Sequence, residues 1–184
     1  MKHLGDWQKK DGKKPRGSYV HVTHEFGPVY DSASKILILG SLPSVKSREQ
    51  QFYYGHPQNR FWKVLAQVLK TDVFPDSIEQ KRSLLLANKV ALWDVIASCD
   101  IIGSSDSTIK NVRENDMRVI LKAAGIRAIF TNGTKAHDLF QKYCSAYIAS
   151  NIPEIKLPST SPANAAWSLE RLVQAWTCAI GAYL

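Results

Sequence analysis

The sequence predicts an α/β protein, a three-layer α/β/α sandwich around a central, mostly parallel sheet of four strands. Two patterns predict it: four short apolar runs spaced along the chain, and amphipathic helical stripes between them. A third observation places a site on one rim. Each run is succeeded at once by small, polar or turn-forming residues, and in open α/β sheets ligands bind outside the carboxyl ends of the strands.

The runs are Lys35–Leu39, Lys89–Trp93, Arg127–Phe130 and Glu154–Leu157. Short, continuous and rich in branched and aromatic side chains, they suit strands covered on both faces. Between the first and second, Phe61, Trp62, Val64, Leu65, Val68 and Leu69 recur at helical spacing, which assigns Phe61 and Trp62 to the core. Ser77 and Gln80 have the spacing of a capping box ahead of Leu84 and Leu85. Met117, Val119, Ile120 and Ala123 form the next stripe, with Gly125 as its stop. Ala136, Leu139, Phe140, Tyr143 and Tyr147 form another, and Leu169, Leu172, Val173, Trp176 and Ile180 the last.

The 184 residues fit one folded domain, large enough to need no disulfide or metal staple. No apolar run approaches a membrane span, and no secretory signal opens the chain. The cysteines, Cys99, Cys144 and Cys178, are odd in number and widely spaced. That favours reduced thiols in a cytosolic protein over zinc or iron–sulfur ligation. Net charge is +8, which suits a polyanionic partner. Half of it lies in the first 20 residues, where Lys2, Lys9, Lys10, Lys13, Lys14 and Arg16 face only Asp6 and Asp11. Residues 1–25 are therefore expected to form a basic, flexible arm, either merely solvated or contacting phosphate.

The strand ends deliver Gly40-Ser41-Leu42-Pro43-Ser44, then Trp93-Asp94, then Thr131-Asn132-Gly133, then Pro158 to Asn164. Taken singly, each is also what any loop would contain. The segment Tyr53 to Trp62, Tyr-Tyr-Gly-His-Pro-Gln-Asn-Arg-Phe-Trp, is harder to explain that way. Aromatic faces stack on bases, and an Asn amide bonds a base edge or a water. Asn59 equally suits a helix cap, and Arg60 a solvated surface.

Together, Gly40–Ser44, Tyr53–Trp62 and Leu157-Pro158-Ser159 resemble the uracil-DNA glycosylase superfamily, over nearly the whole chain from about Phe26. His56–Val64 is similar to the mismatch-specific uracil branch. Gly-Ser-Leu-Pro-Ser, Tyr-Tyr-Gly-His-Pro-x-Asn and Ser-Pro-Ala-Asn-Ala are more similar to the hypoxanthine-DNA glycosylase branch. The resemblance implies a glycosylase domain over residues 26–184 that flips a deaminated base from double-stranded DNA and hydrolyses its N-glycosidic bond. Hypoxanthine is the base favoured and uracil the second. It implies no cofactor, no metal and no membrane partner, and a monofunctional monomer, since no lysine matches a nucleophile.

Residue by residue, the resemblance implies that Asn59 is catalytic, holding the attacking water or stabilising the departing base. The usual Asp or Asn of the first loop is here Leu42. Tyr54 would stack on the base, Asn132 would read its edge, and Gly40 and Ser41 would offer backbone N–H groups. Ser44, His56, Pro158, Ser159, Thr160, Ser161 and Asn164 would contact DNA, with Ser161-Pro162 opening a helix whose amides face phosphate. Leu157 stands where better-known members carry a His. Asp94 is either a buttress of the pocket or a turn residue, and Cys99–Ser107 is expected to be a polar, DNA-facing loop. Leu42 and Leu157 also leave open a non-catalytic DNA-binding member of the fold.

Overall fold

The computed structural model describes residues 17–71, 74–103 and 105–184. The lysines and arginine of the expected N-terminal arm lie outside them. Four strands, β2 (Ile36–Gly40), β3 (Val90–Asp94), β6 (Ala128–Asn132) and β7 (Glu154–Leu157), form a parallel sheet in the order β3-β2-β6-β7. Each lies within two residues of its predicted bounds. Every residue of β2 and β3 is buried, which is why these strands read as unbroken apolar runs rather than as alternating ones.

The helices are α1 (Val45–Glu49), α2 (Phe61–Val68), α3 (Ile78–Ala87), α4 (Arg118–Ala123), α5 (Thr134–Tyr143) and α6 (Leu169–Ile180). The chain moves one way along the sheet from β2 to β3 and the other way to β6 and β7. Right-handed crossovers therefore put α2 and α3 on one face and α4 and α5 on the other. Helix α6 returns to pack against α2. Ser77 closes the expected capping box on α3, with both reciprocal bonds to Gln80 formed. Phe61 and Trp62 are buried, as the stripe requires.

Several local expectations need correction. Cys99–Ser107 is not a loop throughout. Residues Ile96–Ile101 are strand β4, with Cys99 fully buried, paired antiparallel to β1 (Val20–Thr23) and β5 (Lys110–Glu114). Register shifts interrupt the β4–β5 pairing on both sides of Ser98, so the alternation that would betray a strand is broken. Strand β1 also means that the described part of the presumed arm, from Val20, is already paired into the fold. Helix α4 ends at Ala123 on an extended Ala124, without Gly125 as a left-handed cap. Helix α5 stops at Tyr143, and Tyr147 lies in a separate 3-10 turn.

Trp176 of α6 is fully buried, meets Phe61 edge-on, and donates its indole N–H to the Pro158 carbonyl at 3.0 Å. It thus ties the last helix to the loop after β7. Trp176→Phe should lower unfolding stability by about 1–3 kcal/mol, since it leaves a carbonyl unpaired and a gap beside it. Chemical denaturation measures this, and an unchanged midpoint would show that the tie is dispensable.

Candidate active site

The register of the parallel sheet builds the site. Gly40 pairs with Asp94, and Asn132 with Leu157, so the four strands end level and present these residues along one edge. The strand order reverses at β2, where a crevice must open. A cleft of about 820 Å³ lies there, and its walls include Gly40, Ser41, Leu42, Tyr54, Asn59, Asp94, Asn132 and the loop after β7. Gly40 is required: a Cβ there would overlap the Asp94 carboxylate and stand 3.0 Å from the Tyr54 hydroxyl.

One side of the cleft is held by a hydrogen-bonded chain that joins residues distant in sequence. Asn132 donates from Nδ2 to the Tyr54 hydroxyl (3.0 Å) and to Thr160 Oγ1 (2.9 Å), and its Oδ1 accepts the Thr160 N–H (3.0 Å). Thr160 Oγ1 in turn donates to Asn59 Oδ1 at 3.0 Å. Thr160 itself is fully buried. Both Nδ2 protons of Asn132 are thus already given to protein acceptors, which leaves it one carbonyl lone pair for any ligand.

Asn59 divides its amide between two tasks. Its Oδ1 accepts the Phe61 N–H at the start of α2 (3.0 Å) as well as the Thr160 hydroxyl. A backbone N–H can only donate, so this bond fixes which end of the amide is oxygen. Both lone pairs of the oxygen are then used. The Nδ2 group donates to nothing among the described residues, on a side chain that lines the cleft. The helix-cap role and the active-site role thus coexist in one side chain.

Tyr54 is held in an unusual conformation. Its φ is +52°, a region that costs a bulky residue free energy. Its ring stacks on Phe61 with centroids 3.8 Å apart and planes 13° from parallel. Burial, and then the nearby Asp94 charge, push its hydroxyl well above the usual tyrosine range. The group therefore stays protonated and can donate.

Arg60 is not a solvated surface residue. Its guanidinium donates to the carbonyls of Thr160 (3.4 Å), Ser161 (2.8 Å), Asn164 (3.0 Å) and Trp167. This corrects the expected helix at Ser161-Pro162. The segment 161–167 is a run of turns and bends, and α6 begins only at Leu169, capped by Ser168. Turn bonds from the loop's own N–H groups reach only the Ser161 and Asn164 carbonyls, from Asn164 and Trp167, and the Arg60 guanidinium gathers all four.

The remaining expected contacts fall in two groups. Pro158, Ser159, Thr160, Ser161 and Asn164 line the cleft, and the Asn164 amide holds the loop by donating to the Ser159 carbonyl (2.9 Å). Ser44 also lines it, but its hydroxyl caps the short helix α1 by accepting the Ser47 N–H. His56 is not among the lining residues, and its Nδ1 accepts the Gln58 N–H at 3.2 Å. Sequence reasoning missed the cations Arg48, Lys135 and Lys156, which line the cleft. Lys135, just past Asn132-Gly133, was the one whose position in sequence pointed to the rim. Among the described residues no cluster of His, Cys, Asp and Glu could hold a metal ion, and no helix is long and apolar enough to cross a membrane.

Arg60→Lys should lower stability by about 1–3 kcal/mol, because one ammonium cannot span four carbonyls. It should also open the segment 161–167 to limited proteolysis. Wild-type resistance to cleavage there would reject the clamp.

Comparisons with known proteins agree with this architecture. The family model described as the uracil DNA glycosylase superfamily matches residues 28–178. A protein of Methanosarcina acetivorans named hypoxanthine DNA glycosylase is 35% identical over 151 residues, 82% of this chain and 93% of its own. A protein of the same name from Methanosarcina barkeri is 35% identical over 112 residues, 60% of this chain and 71% of its own. The NMR solution structure of a Methanosarcina acetivorans protein, titled "a putative Uracil DNA glycosylase", superposes with a TM-score of 0.67 at 33% identity, covering 83% of this chain and 92% of that one. With the level strand ends, the cleft at the reversal of strand order and the match over 28–178, the chain belongs to the uracil DNA glycosylase superfamily.

Proposed function

We propose that this protein is a monofunctional DNA glycosylase that excises a flipped, deaminated base, with hypoxanthine as its principal substrate and uracil as a lesser one. The observation that carries the reading is the Asn59 amide, whose oxygen is occupied and whose NH₂ group, at the cleft, donates to nothing among the described residues. Curated relatives named for hypoxanthine support the choice of base.

N-glycosidic hydrolysis develops positive charge on the sugar and negative charge on the departing base. Leu42 stands in the first loop where an Asp or Asn is usual, and a leucine side chain neither orients nor deprotonates water. Catalysis then rests on stabilising the leaving group, so that water attacks a sugar already losing its base. The Asn59 NH₂ is fixed in advance by two bonds to its oxygen, and it donates to the base as charge builds there. The chain from Asn132 through Thr160 to Asn59 holds that donor in place. Arg48, Lys135 and Lys156 at the cleft supply positive charge for DNA phosphates. Flipping costs a few kcal/mol and least for a mispaired base, so the lesion's own mispairing contributes selectivity.

Duplexes carrying one deoxyinosine or one deoxyuridine, treated with protein and then alkali, test the substrate. Strand scission at deoxyinosine is expected, with less at deoxyuridine, and scission at neither would reject the activity. Asn59→Ala should slow single-turnover excision by about 100-fold or more while DNA binding stays close to wild type. Asn59→Asp distinguishes the two roles open to the residue. A carboxylate could hold water but cannot donate, so this variant should be as slow as the alanine; near-wild-type excision by it would refute the donor mechanism.

A further inference from the structure

We propose that Ser47 is a positioning residue of this site: its buried hydroxyl fixes the peptide that follows Tyr54, and so sets where the Tyr54 ring and hydroxyl stand in the cleft before a nucleotide arrives. The proposal deepens the glycosylase reading and rests on it.

Tyr54 is held from two directions. Its side chain stacks on Phe61 and its hydroxyl accepts from Asn132. Those contacts act on the ring. The backbone, at φ +52°, lies where a bulky residue is disfavoured, and a rotation of the next peptide would let it relax. The N–H of Gly55 reports the direction of that peptide, and it donates to Ser47 Oγ at 3.0 Å. One bond thus pins the backbone on the far side of the Tyr54 Cα from the strained angle.

The other atoms of Ser47 suit it to this task. The residue is 1% exposed and borders the cleft. Its N–H donates to Ser44 Oγ (3.2 Å), and its carbonyl accepts the Phe52 N–H (3.0 Å). Its hydroxyl also lies 3.0 Å from Ser44 Oγ. A buried hydroxyl proton needs an acceptor, and Ser44 Oγ is the one within reach among the described residues. With the proton given there, a lone pair of Ser47 is left for Gly55. The chain between Ser47 and Gly55 folds back tightly, with Gln51 at φ +53°. A Cβ at Gly55 would overlap the Gln50 side chain and stand 3.1 Å from the Lys46 carbonyl. Ser47 therefore joins the first loop to the aromatic segment at its closest approach. From there the bonded wall runs through Tyr54, Asn132 and Thr160 to Asn59. A donor or ring held in place in advance need not be ordered when the base enters, and that is where the hydroxyl acts on the reaction.

Ser47→Ala removes the acceptor with little change of volume. Hydrogen exchange of the ligand-free protein, followed by NMR, should show the Gly55 amide exchanging about tenfold faster or more, with the Ile38 and Phe130 amides of the central sheet unchanged. An unchanged Gly55 amide would overturn the proposal. Single-turnover excision from a deoxyinosine duplex should slow about tenfold, while affinity for undamaged duplex stays within about twofold. Ser47→Thr, which keeps the hydroxyl, should recover most of that rate. Wild-type excision by a folded alanine variant would refute the positioning role. A double-mutant cycle separates positioning from a general loosening of the fold. Adding Ser47→Ala to Tyr54→Ala should slow excision no further, because the residue it positions is gone. A further tenfold loss in that background would show that Ser47 does not act through Tyr54, and would overturn the proposal. If wild-type protein excises neither deoxyinosine nor deoxyuridine, the glycosylase reading falls, and faster Gly55 exchange in Ser47→Ala would leave the hold on Tyr54 standing.

Discussion

The guanidinium of Arg60 gathers four backbone carbonyls, those of Thr160, Ser161, Asn164 and Trp167, and the geometry of the site depends on that gathering. An irregular loop is a poor scaffold, because its backbone groups find no regular partners. One planar cation with several fixed donors supplies them here. The consequence reaches both neighbours of the clamp. Thr160 is held buried between Asn132 and Asn59, and Asn59 is one residue from Arg60. The start of α2 and the loop after β7, a hundred residues apart, thus become a single wall.

Against that wall the parallel sheet acts as the floor. Its strands end level, so Gly40, Asp94 and Asn132 stand in a row without any loop having to reach for them. The absence of a side chain at Gly40 lets the Asp94 carboxylate and the Tyr54 hydroxyl approach the same point. Tyr54 adopts a costly backbone angle there and is kept in it by stacking on Phe61, by the bond from Asn132 and by the bond from the Gly55 N–H to Ser47. Strain of this kind persists only where the surroundings over-determine it, and those contacts do so at the wall of the cleft.

Much of this was legible before the structure. Strands β2 and β3 are buried throughout and β6 all but its last residue, so their apolar runs are continuous and easily read; β7, at the sheet edge, alternates Glu154 and Lys156 with Ile155 and Leu157. Phe61, Trp62, the Ser77–Gln80 box and α6 emerge from spacing alone. The second sheet was not legible. Strand β1 is four residues long and β4 is bulged, so neither shows the alternation of a half-buried strand. The turns at 161–167 were mistaken for a helix because Ser-Pro is a sound local start signal, and the arginine that overrides it lies a hundred positions away.

By itself, the sequence determined the α/β class, the places of the four core strands and the residues delivered to their rim, because these depend on local periodicity and on the few residues next to each strand end. Only the tertiary structure decided what those residues have left to offer. Hydrogen-bonding capacity is finite, and which lone pair or proton is already spent depends on partners remote in sequence. Those partners leave Asn59 a donor and Asn132 largely a brace.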